Sequence, residues 1–176
     1  MGSATKASRR LRIIVCDTGP VLHLREAGIL DILRAAGEVI VSAAVDVELG
    51  RLVAGWPRSR PRWLHVRRLQ SRQRADPMVR QLERELGAGE VEAIVLARTL
   101  RADWLLTDDA EARAIAQLAG LEVHGSPGVL LWAAVSGRFP EGDAHAALDR
   151  LARSSLWISA RVLEEARLAL RKIYAE

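Results

Sequence analysis

The sequence has very little cysteine and no long apolar segment, and each absence excludes a class of protein. Cys16 is the only cysteine among 176 residues, so an internal disulfide framework and a multi-cysteine zinc site are both excluded. The longest unbroken apolar run, residues 129–135, is far shorter than the roughly 20 residues that span a bilayer. We therefore expect a protein of the reducing cytoplasm that does not cross a membrane.

Lysine is also nearly absent, although the chain is basic. Lys6 and Lys172 are the only lysines, and the formal net charge is +4, from 26 Lys and Arg against 22 Asp and Glu. Arginine in this excess allows a nucleic acid as a partner. The same composition is typical of chains encoded by GC-rich genomes, so charge alone leaves the partner open.

The N-terminal segment is basic and has no apolar stretch of the kind that marks a secretory signal. We expect residues 1–12 to form a flexible basic leader. Residues 13–176 have the length of one domain, and the helical pattern of residues 140–176 predicts a helical C-terminal extension of that domain.

Short apolar runs alternate with helical patterns, which is typical of a parallel sheet covered by helices. Strands are predicted at 13–16, 39–41, 104–106 and 121–123, with a short edge strand at 63–66. Helices are predicted at 20–33, 43–53, 77–86, 90–100, 110–119, 126–135, 143–153 and 160–174. The sequence thus predicts one α/β domain.

Carboxylates follow two of the predicted strands, Asp17 after the first and Asp108 and Asp109 after the third clear one. The C-terminal ends of parallel strands meet at one edge of a sheet, and Glu48 and Glu90 lie on helices that leave from that edge. Carboxylates within about 4–5 Å repel by on the order of a few kcal/mol per pair at an effective dielectric of about 20. A divalent cation offsets this repulsion, and all-oxygen ligands favour Mg²⁺ or Mn²⁺.

Each of these acids also has an ordinary structural role open to it. Asp17 is placed for an Asx turn before Gly19, Asp108 or Asp109 for a cap on the next helix, and Glu90 for the first turn of its own helix. Spacing alone does not choose between these roles and a shared metal site.

Four motifs in this order resemble a PIN domain. They are Asp17-Thr18-Gly19-Pro20 after a buried strand, Glu48-Leu49 after Val45, Gly89-Glu90 with Ala93-Ile94, and Leu105-Leu106-Thr107-Asp108-Asp109 with Ala112-Arg113. The resemblance runs from residue 13 to about residue 139. It is strongest to bacterial PIN-like proteins of the DUF3368 type, which are related to VapC toxin ribonucleases.

This resemblance implies a three-layer α/β/α fold with a central, mainly parallel sheet, and a metal-dependent endoribonuclease. The implied catalytic acids, which would also be the ligands of Mg²⁺ or Mn²⁺, are Asp17, Glu48, Glu90 and an aspartate of the Asp108-Asp109 pair. It further implies an RNA substrate, the role of toxin in a VapBC-like pair with a small antitoxin, and a homodimer. Three apolar residues near the C-terminal third are candidates for the dimer interface: Trp132, Leu156 and Trp157.

Two of these assignments stay open. Many PIN sequences place the third acid directly before alanine, which selects Glu92, whereas the Gly-Glu pattern selects Glu90. A Thr-x-Asp alignment selects Asp109, whereas the spacing from Glu90 selects Asp108.

An arginine-rich stretch, residues 56–74, interrupts the regular alternation of strands and helices. It contains Arg58, Arg60, Arg62, Arg67, Arg68, Arg72 and Arg74. We interpret it as a mobile excursion around the edge strand, either contacting the RNA backbone or forming a solvated loop. The four histidines, at positions 23, 65, 124 and 145, show no metal-ligand spacing and are expected to have no part in the site.

Two other functions compete with the nuclease. Phosphoryl transfer through an aspartyl phosphate needs a second aspartate two residues after Asp17, and Gly19 stands there, which disfavours it. A catalytically weak PIN-like module that binds RNA or protein is the remaining alternative, and carboxylates at all four motifs argue against it.

Overall fold

The computed structural model of the chain describes residues 11–175, and in this part a five-stranded, all-parallel sheet forms the centre. The strands are β1 (Ile13–Cys16), β2 (Glu38–Ser42), β3 (Leu64–Arg67), β4 (Trp104–Leu106) and β5 (Val123–His124). Their order in the sheet is β3-β2-β1-β4-β5. The central strand β1 is therefore held by hydrogen bonds on both sides.

Helices connect the strands and cover the sheet. They are α1 (Thr18–Glu26), α2 (Ile32–Ala36), α3 (Ala43–Leu52), α4 (Trp56–Ser59), α5 (Ser71–Arg74), α6 (Pro77–Leu82), α7 (Ala88–Leu100), α8 (Ala110–Leu118), α9 (Ser126–Val135), α10 (Glu141–Ala152) and α11 (Ala160–Ala175). Within residues 11–175, no helix has both the length and the apolar character needed to cross a membrane.

Both faces of the sheet are buried at its three inner strands, β1, β2 and β4, as their apolar runs require. Ile14 and Cys16 pack into a layer that includes α1, α2, α9, α10 and α11. Val15, between them in sequence, packs into the opposite layer with α6, α7 and α8. The resulting three-layer α/β/α architecture confirms the predicted fold class.

One predicted helix is divided in two. The apolar spacing predicts a single helix over residues 20–33, but α1 ends and α2 begins inside that range. Gly28 lies between them with a φ of 70°, a left-handed conformation that favours glycine and ends helices. The prediction was wrong because apolar residues on both sides of the break are buried in the same layer, so the helical periodicity continues across it.

The arginine-rich stretch is an ordered part of the fold. It contains α4, the predicted edge strand β3 and α5, so its interpretation as a mobile excursion was wrong. Arg60 pairs with Asp46 at 2.8 Å and Arg74 with Glu92 at 2.7 Å. These two arginines hold neighbouring helices, whereas Arg67 and Arg68 are exposed.

The predicted leader, residues 1–12, lies outside the described residues except for its last two. Arg12 contacts the folded part of the chain, with its guanidinium 4.0 Å from the centre of the Trp104 ring and a hydrogen bond to the carbonyl oxygen of Ala36. At the other end, α10 and α11 form the predicted C-terminal helices and pack on α9. Leu151 and Leu170 are fully buried there.

The passage from α2 into β2 depends on a glycine. A Cβ atom at Gly37 would lie 2.2 Å from the carbonyl oxygen of Arg12, a contact that only a backbone shift relieves.

We expect Gly37→Ala to lower the free energy of unfolding by about 1–3 kcal/mol. Gly50 in α3 is the matched control, because nothing lies within 4 Å of its added Cβ and alanine is the better helix former by about 0.5–1 kcal/mol. Urea unfolding measures both variants, and a Gly37→Ala protein as stable as wild type would contradict the argument.

Candidate active site

Asp17 ends the central strand and lies in the wall of a cavity of about 790 Å³. Its side chain is held from two directions: Oδ1 accepts a hydrogen bond from the Thr18 amide at 2.7 Å, and Oδ2 accepts one from the Thr107 hydroxyl at 3.1 Å. The residue is only 5% exposed. Asp17 therefore has the structural role of capping α1 and still presents a carboxylate to the cavity.

The five acids named from the sequence all line this cavity: Asp17, Glu48, Glu90, Asp108 and Asp109. Strands β1 and β4 carry the aspartates to the C-terminal edge of the sheet, while α3 and α7 carry the glutamates. The parallel topology thus brings these side chains together, although more than 90 residues separate the first from the last.

Burial and like charge act together on these acids. Burial raises the pKa of Asp17 to about 7, and the negative charges of Glu90 and Glu48 contribute to the rise. Burial also raises the pKa of Glu90, with contributions from the charges of Asp109 and Glu48. The ionised forms of these carboxyl groups are therefore unfavourable without a cation nearby, and a bound cation would stabilise them.

Glu48 fits closely against the start of α7. The Thr18 hydroxyl donates a hydrogen bond to its Oε2 atom, which ties α3 to α1. A Cβ at Gly89 would lie 2.6 Å from the same oxygen. Glycine before Glu90 is therefore required for the position that Glu48 takes.

The structure distinguishes Asp108 from Asp109. Both oxygens of Asp108 are engaged by the protein: Oδ1 accepts from the Ser126 amide at 2.7 Å, and Oδ2 contacts the Ser126 hydroxyl at 2.6 Å and His23 Nδ1 at 2.7 Å. Asp109 caps α8 through Oδ1, which accepts from the Ala112 amide. Its charge acts on Glu90.

Glu92 is outside the cavity lining and only 7% exposed. It accepts a hydrogen bond from the Ala44 amide at 3.0 Å and pairs with Arg74. These contacts join α7 to the start of α3 and to α5. Of the two glutamates left open by the sequence, Glu90 is the one at the cavity.

A family model, DUF3368, described as a PIN domain, matches residues 13–172. The chain belongs to the PIN domain family. The match continues past residue 139, where the motif resemblance stopped, through α10 and most of α11. None of the curated proteins compared with the chain is significantly similar to it.

Sequence reasoning missed several residues at the cavity of this PIN domain. His23 was expected to have no part in the site, but it lines the cavity and contacts Asp108. His23 lies four residues after Gly19 of the first motif, so both are on one face of α1. This spacing was visible in the sequence and could have indicated that His23 is near the site. Leu156 and Trp157 also line the cavity from the loop between α10 and α11, and no local pattern predicts this.

The donor set of the PIN domain fits a hard divalent cation. Carboxylate oxygens are the ligands that Mg²⁺ and Mn²⁺ prefer. Within residues 11–175, no three acidic, histidine or cysteine side chains stand close enough together to enclose an ion. Oε2 of Glu48 accepts from Thr18 and Oε2 of Glu90 accepts from the Gly87 amide. Rotation of these two flexible side chains is therefore needed before they can share an ion with Asp17.

Asp17 gives the metal-free PIN domain a specific pH dependence. Its pKa is about 7 in the folded protein against an ordinary value of 3.8, so the folded state keeps this proton to a higher pH than the unfolded state does. The free energy of unfolding should therefore fall as the pH rises from about 4 to about 7, by up to about 4 kcal/mol for a shift of about three pKa units. Urea titrations between pH 4 and pH 8 in EDTA measure this fall.

The variant Asp17→Asn removes this ionisation while keeping an oxygen for the Thr18 amide. We expect it to lose that part of the pH dependence and to unfold at higher urea concentration than wild type at pH 8. Asp31→Asn is the control, because Asp31 is an exposed carboxylate whose side chain makes no capping hydrogen bond. Equal pH dependence in wild type and Asp17→Asn would show that Asp17 is ionised normally.

Proposed function

We propose that this PIN domain is a Mg²⁺- or Mn²⁺-dependent endoribonuclease that hydrolyses RNA phosphodiester bonds. The observation that carries the proposal is the convergence of Asp17, Glu48, Glu90 and Asp109 on one cavity. Burial and mutual repulsion raise the pKa of Asp17 and Glu90, and a bound divalent cation would offset this unfavourable crowding of carboxylates.

The four acids that would hold the ion differ in how they are fixed. The Asp17 side chain is buried after β1 and hydrogen-bonded through both oxygens, and Asp109 is restrained by its cap on α8. Glu48 and Glu90 have longer and more flexible side chains. When bound, the ion lowers the pKa of the attacking water, neutralises the phosphate and stabilises the leaving oxygen.

Neighbouring side chains orient these acids. Thr107 holds Asp17, and Thr18 holds Glu48. Asp108, engaged by Ser126 and His23, joins the end of β4 to α9 and α1. These contacts support a positioning role for Asp108, with Asp109 as the ligand of the pair.

A positive charge lies beside the acids. Among the described residues that line the cavity, Arg113 is the one with a fixed positive charge, and its Nη2 donates to the carbonyl oxygen of Thr107 at 3.0 Å. An arginine at this place suits a phosphate oxygen of the RNA.

The proposal includes the role of toxin in a VapBC-like pair, acting in the cytoplasm with a small antitoxin and as a homodimer. The resemblance of the four motifs to DUF3368-type proteins, which implies a relation to VapC toxins, supports it. Two of the residues expected at the dimer interface are used inside the chain: Leu156 is buried, and Trp132 packs edge-on against Trp104 at 5.5 Å. The homodimer stays a prediction, and of the three residues expected at its interface Trp157 is the most exposed.

The substitution Asp17→Asn tests the proposed chemistry. We expect wild type to cleave single-stranded RNA with Mg²⁺ or Mn²⁺, leaving a 5′-phosphate, and the variant to lose at least 100-fold in rate, on the order of the 3 kcal/mol that an essential charged group supplies. Gel assays measure cleavage, and calorimetry measures the loss of Mn²⁺ binding by the variant. Asp31→Asn should match wild type in both.

Two results would contradict the nuclease proposal. Cleavage that survives Asp17→Asn would show that the site is elsewhere or that the activity is a contaminant. RNA binding by wild type without cleavage in either metal would support the alternative, a catalytically weak RNA-binding module.

The arginine-rich stretch has two ends with different relations to the acids. Arg67 is the last residue of β3, aligned with Ser42 at the end of β2, and Arg68 follows it. Because the strands are parallel, both arginines lie at the same end of the strands as Asp17, which directly follows β1. Arg58 and Arg62 precede β3 and lie towards the opposite edge. We propose that Arg67 and Arg68 contact the RNA backbone.

Replacing Arg67 and Arg68 with glutamine should weaken RNA binding equally for all sequences. Each lost phosphate contact removes roughly 0.7 from the slope of log affinity against log salt for a single strand, so the double variant should lose about 1.4. The control pair, Arg58→Gln with Arg62→Gln, removes the same charge from the other edge and should keep the wild-type slope. Titrations at several salt concentrations, with Ca²⁺ in place of Mg²⁺, measure the slope. If the Arg67 and Arg68 double variant keeps the wild-type slope, these two arginines do not contact the RNA and are a solvated surface.

A further inference from the structure

The loop between α10 and α11 forms an uncharged wall of the acidic cavity. Residues 154–160 read Ser-Ser-Leu-Trp-Ile-Ser-Ala, without an acid or a base, in a chain of which 27% is charged. The side chains at 156–159 line the same cavity as Asp17 and Glu90. One cavity therefore combines a strongly acidic part with a part formed by uncharged side chains.

Trp157 is the most exposed residue of this wall. Its exposed fraction is 86%, whereas Leu156 beside it is buried, with 9% exposed. Because Trp157 lines the cavity, its exposed indole offers a flat aromatic face to a molecule that binds there.

The backbone that carries Trp157 is held on its N-terminal side. The amide and the hydroxyl of Ser155 both donate to Oε2 of Glu26 at 2.7 Å. The Ser154 hydroxyl donates to the Leu151 carbonyl oxygen and accepts from the Leu156 amide. With Leu156 anchored in the core, the indole is presented on a fixed backbone, which lowers the entropy lost when a ligand stacks on it.

We propose that Trp157 stacks on an unpaired nucleobase of the RNA, next to the phosphate that is placed at the acids. This inference rests on the proposed function and deepens it, because it assigns a residue of the cavity wall to the bases of the RNA. Stacking on an indole needs a base whose face is free, and the bases of a duplex are already stacked on each other. The cavity, at about 790 Å³, is within the range of sites that enclose whole small molecules.

A second copy of this chain is a poorer occupant for the same ring. A stable interface buries roughly 800 Å² on each partner, whereas one tryptophan supplies at most about 250 Å². The exposed neighbours of Trp157 in sequence include the polar residues Arg153, Ser155 and Arg161.

The test compares two oligonucleotides that differ only in their bases. A uridine dodecamer and a ribose-phosphate dodecamer without bases are titrated, by fluorescence anisotropy with Mg²⁺, into Asp17→Asn protein with and without Trp157→Ala. Because stacking on an aromatic side chain contributes about 1–3 kcal/mol per base, we expect Trp157→Ala to weaken uridine binding by about 5- to 150-fold. Binding of the abasic strand should not change.

Two further variants separate stacking from a general effect on the fold. Trp157→Phe keeps an aromatic face and should retain most of the affinity for uridine RNA. Leu118→Ala removes an apolar side chain that is 90% exposed on α8 and outside the cavity lining, and should have no effect. A blunt RNA duplex should bind more weakly than the single strand and be indifferent to Trp157→Ala.

The outcomes distinguish this inference from the nuclease proposal. Equal weakening of both strands by Trp157→Ala, or no weakening of either, overturns the stacking role while cleavage by wild type still supports the nuclease. A base-dependent loss in a protein that never cleaves RNA supports stacking and overturns the nuclease. If Trp157→Ala changes only the self-association seen by sedimentation, the ring is a contact between copies and the inference is wrong.

Discussion

The site depends on one buried carboxylate at the end of the central strand. The backbone of Asp17 cannot move away from Glu48 and Glu90, because β1 is hydrogen-bonded on both sides. The Asp17 amide also donates to the carbonyl oxygen of Leu106 at 2.9 Å. The raised pKa of Asp17 follows first from its burial in this fixed position and then from the negative charges of Glu90 and Glu48. The fold thus keeps an arrangement that lowers its own stability, as is usual where a site must be ready before its ligand arrives.

The remaining acids are held by contacts that cross between elements. Thr18 of α1 holds Glu48 of α3, and Gly89 of α7 leaves the space that Glu48 needs. Asp108 of β4 is bound by His23 of α1 and Ser126 of α9. Glu48 and Asp108 are thus placed by elements other than their own, whereas Glu90 and Asp109 accept hydrogen bonds from amides at the start of their own helices.

The sequence was sufficient for the sheet and for the group of acids. Continuous apolar runs predict buried parallel strands, and the ends of such strands must meet at one edge, so the approach of Asp17 to Asp108 and Asp109 follows from topology. The choice between Glu90 and Glu92 depends on long-range partners, the Ala44 amide and Arg74, which local spacing does not reveal. The same is true of Asp108, whose partners come from α1 and α9. The division of α1 from α2 was predictable from Gly28, but the continuous apolar periodicity hid it.

The two kinds of wall around the cavity come from different parts of the chain. The acids belong to the elements between β1 and α8, whereas the uncharged wall belongs to the loop before α11, tied down through Ser155 and Glu26. Because the acids and this loop lie in separate stretches of the chain, a substitution at the exposed Trp157 changes one wall of the cavity without changing any residue of the other.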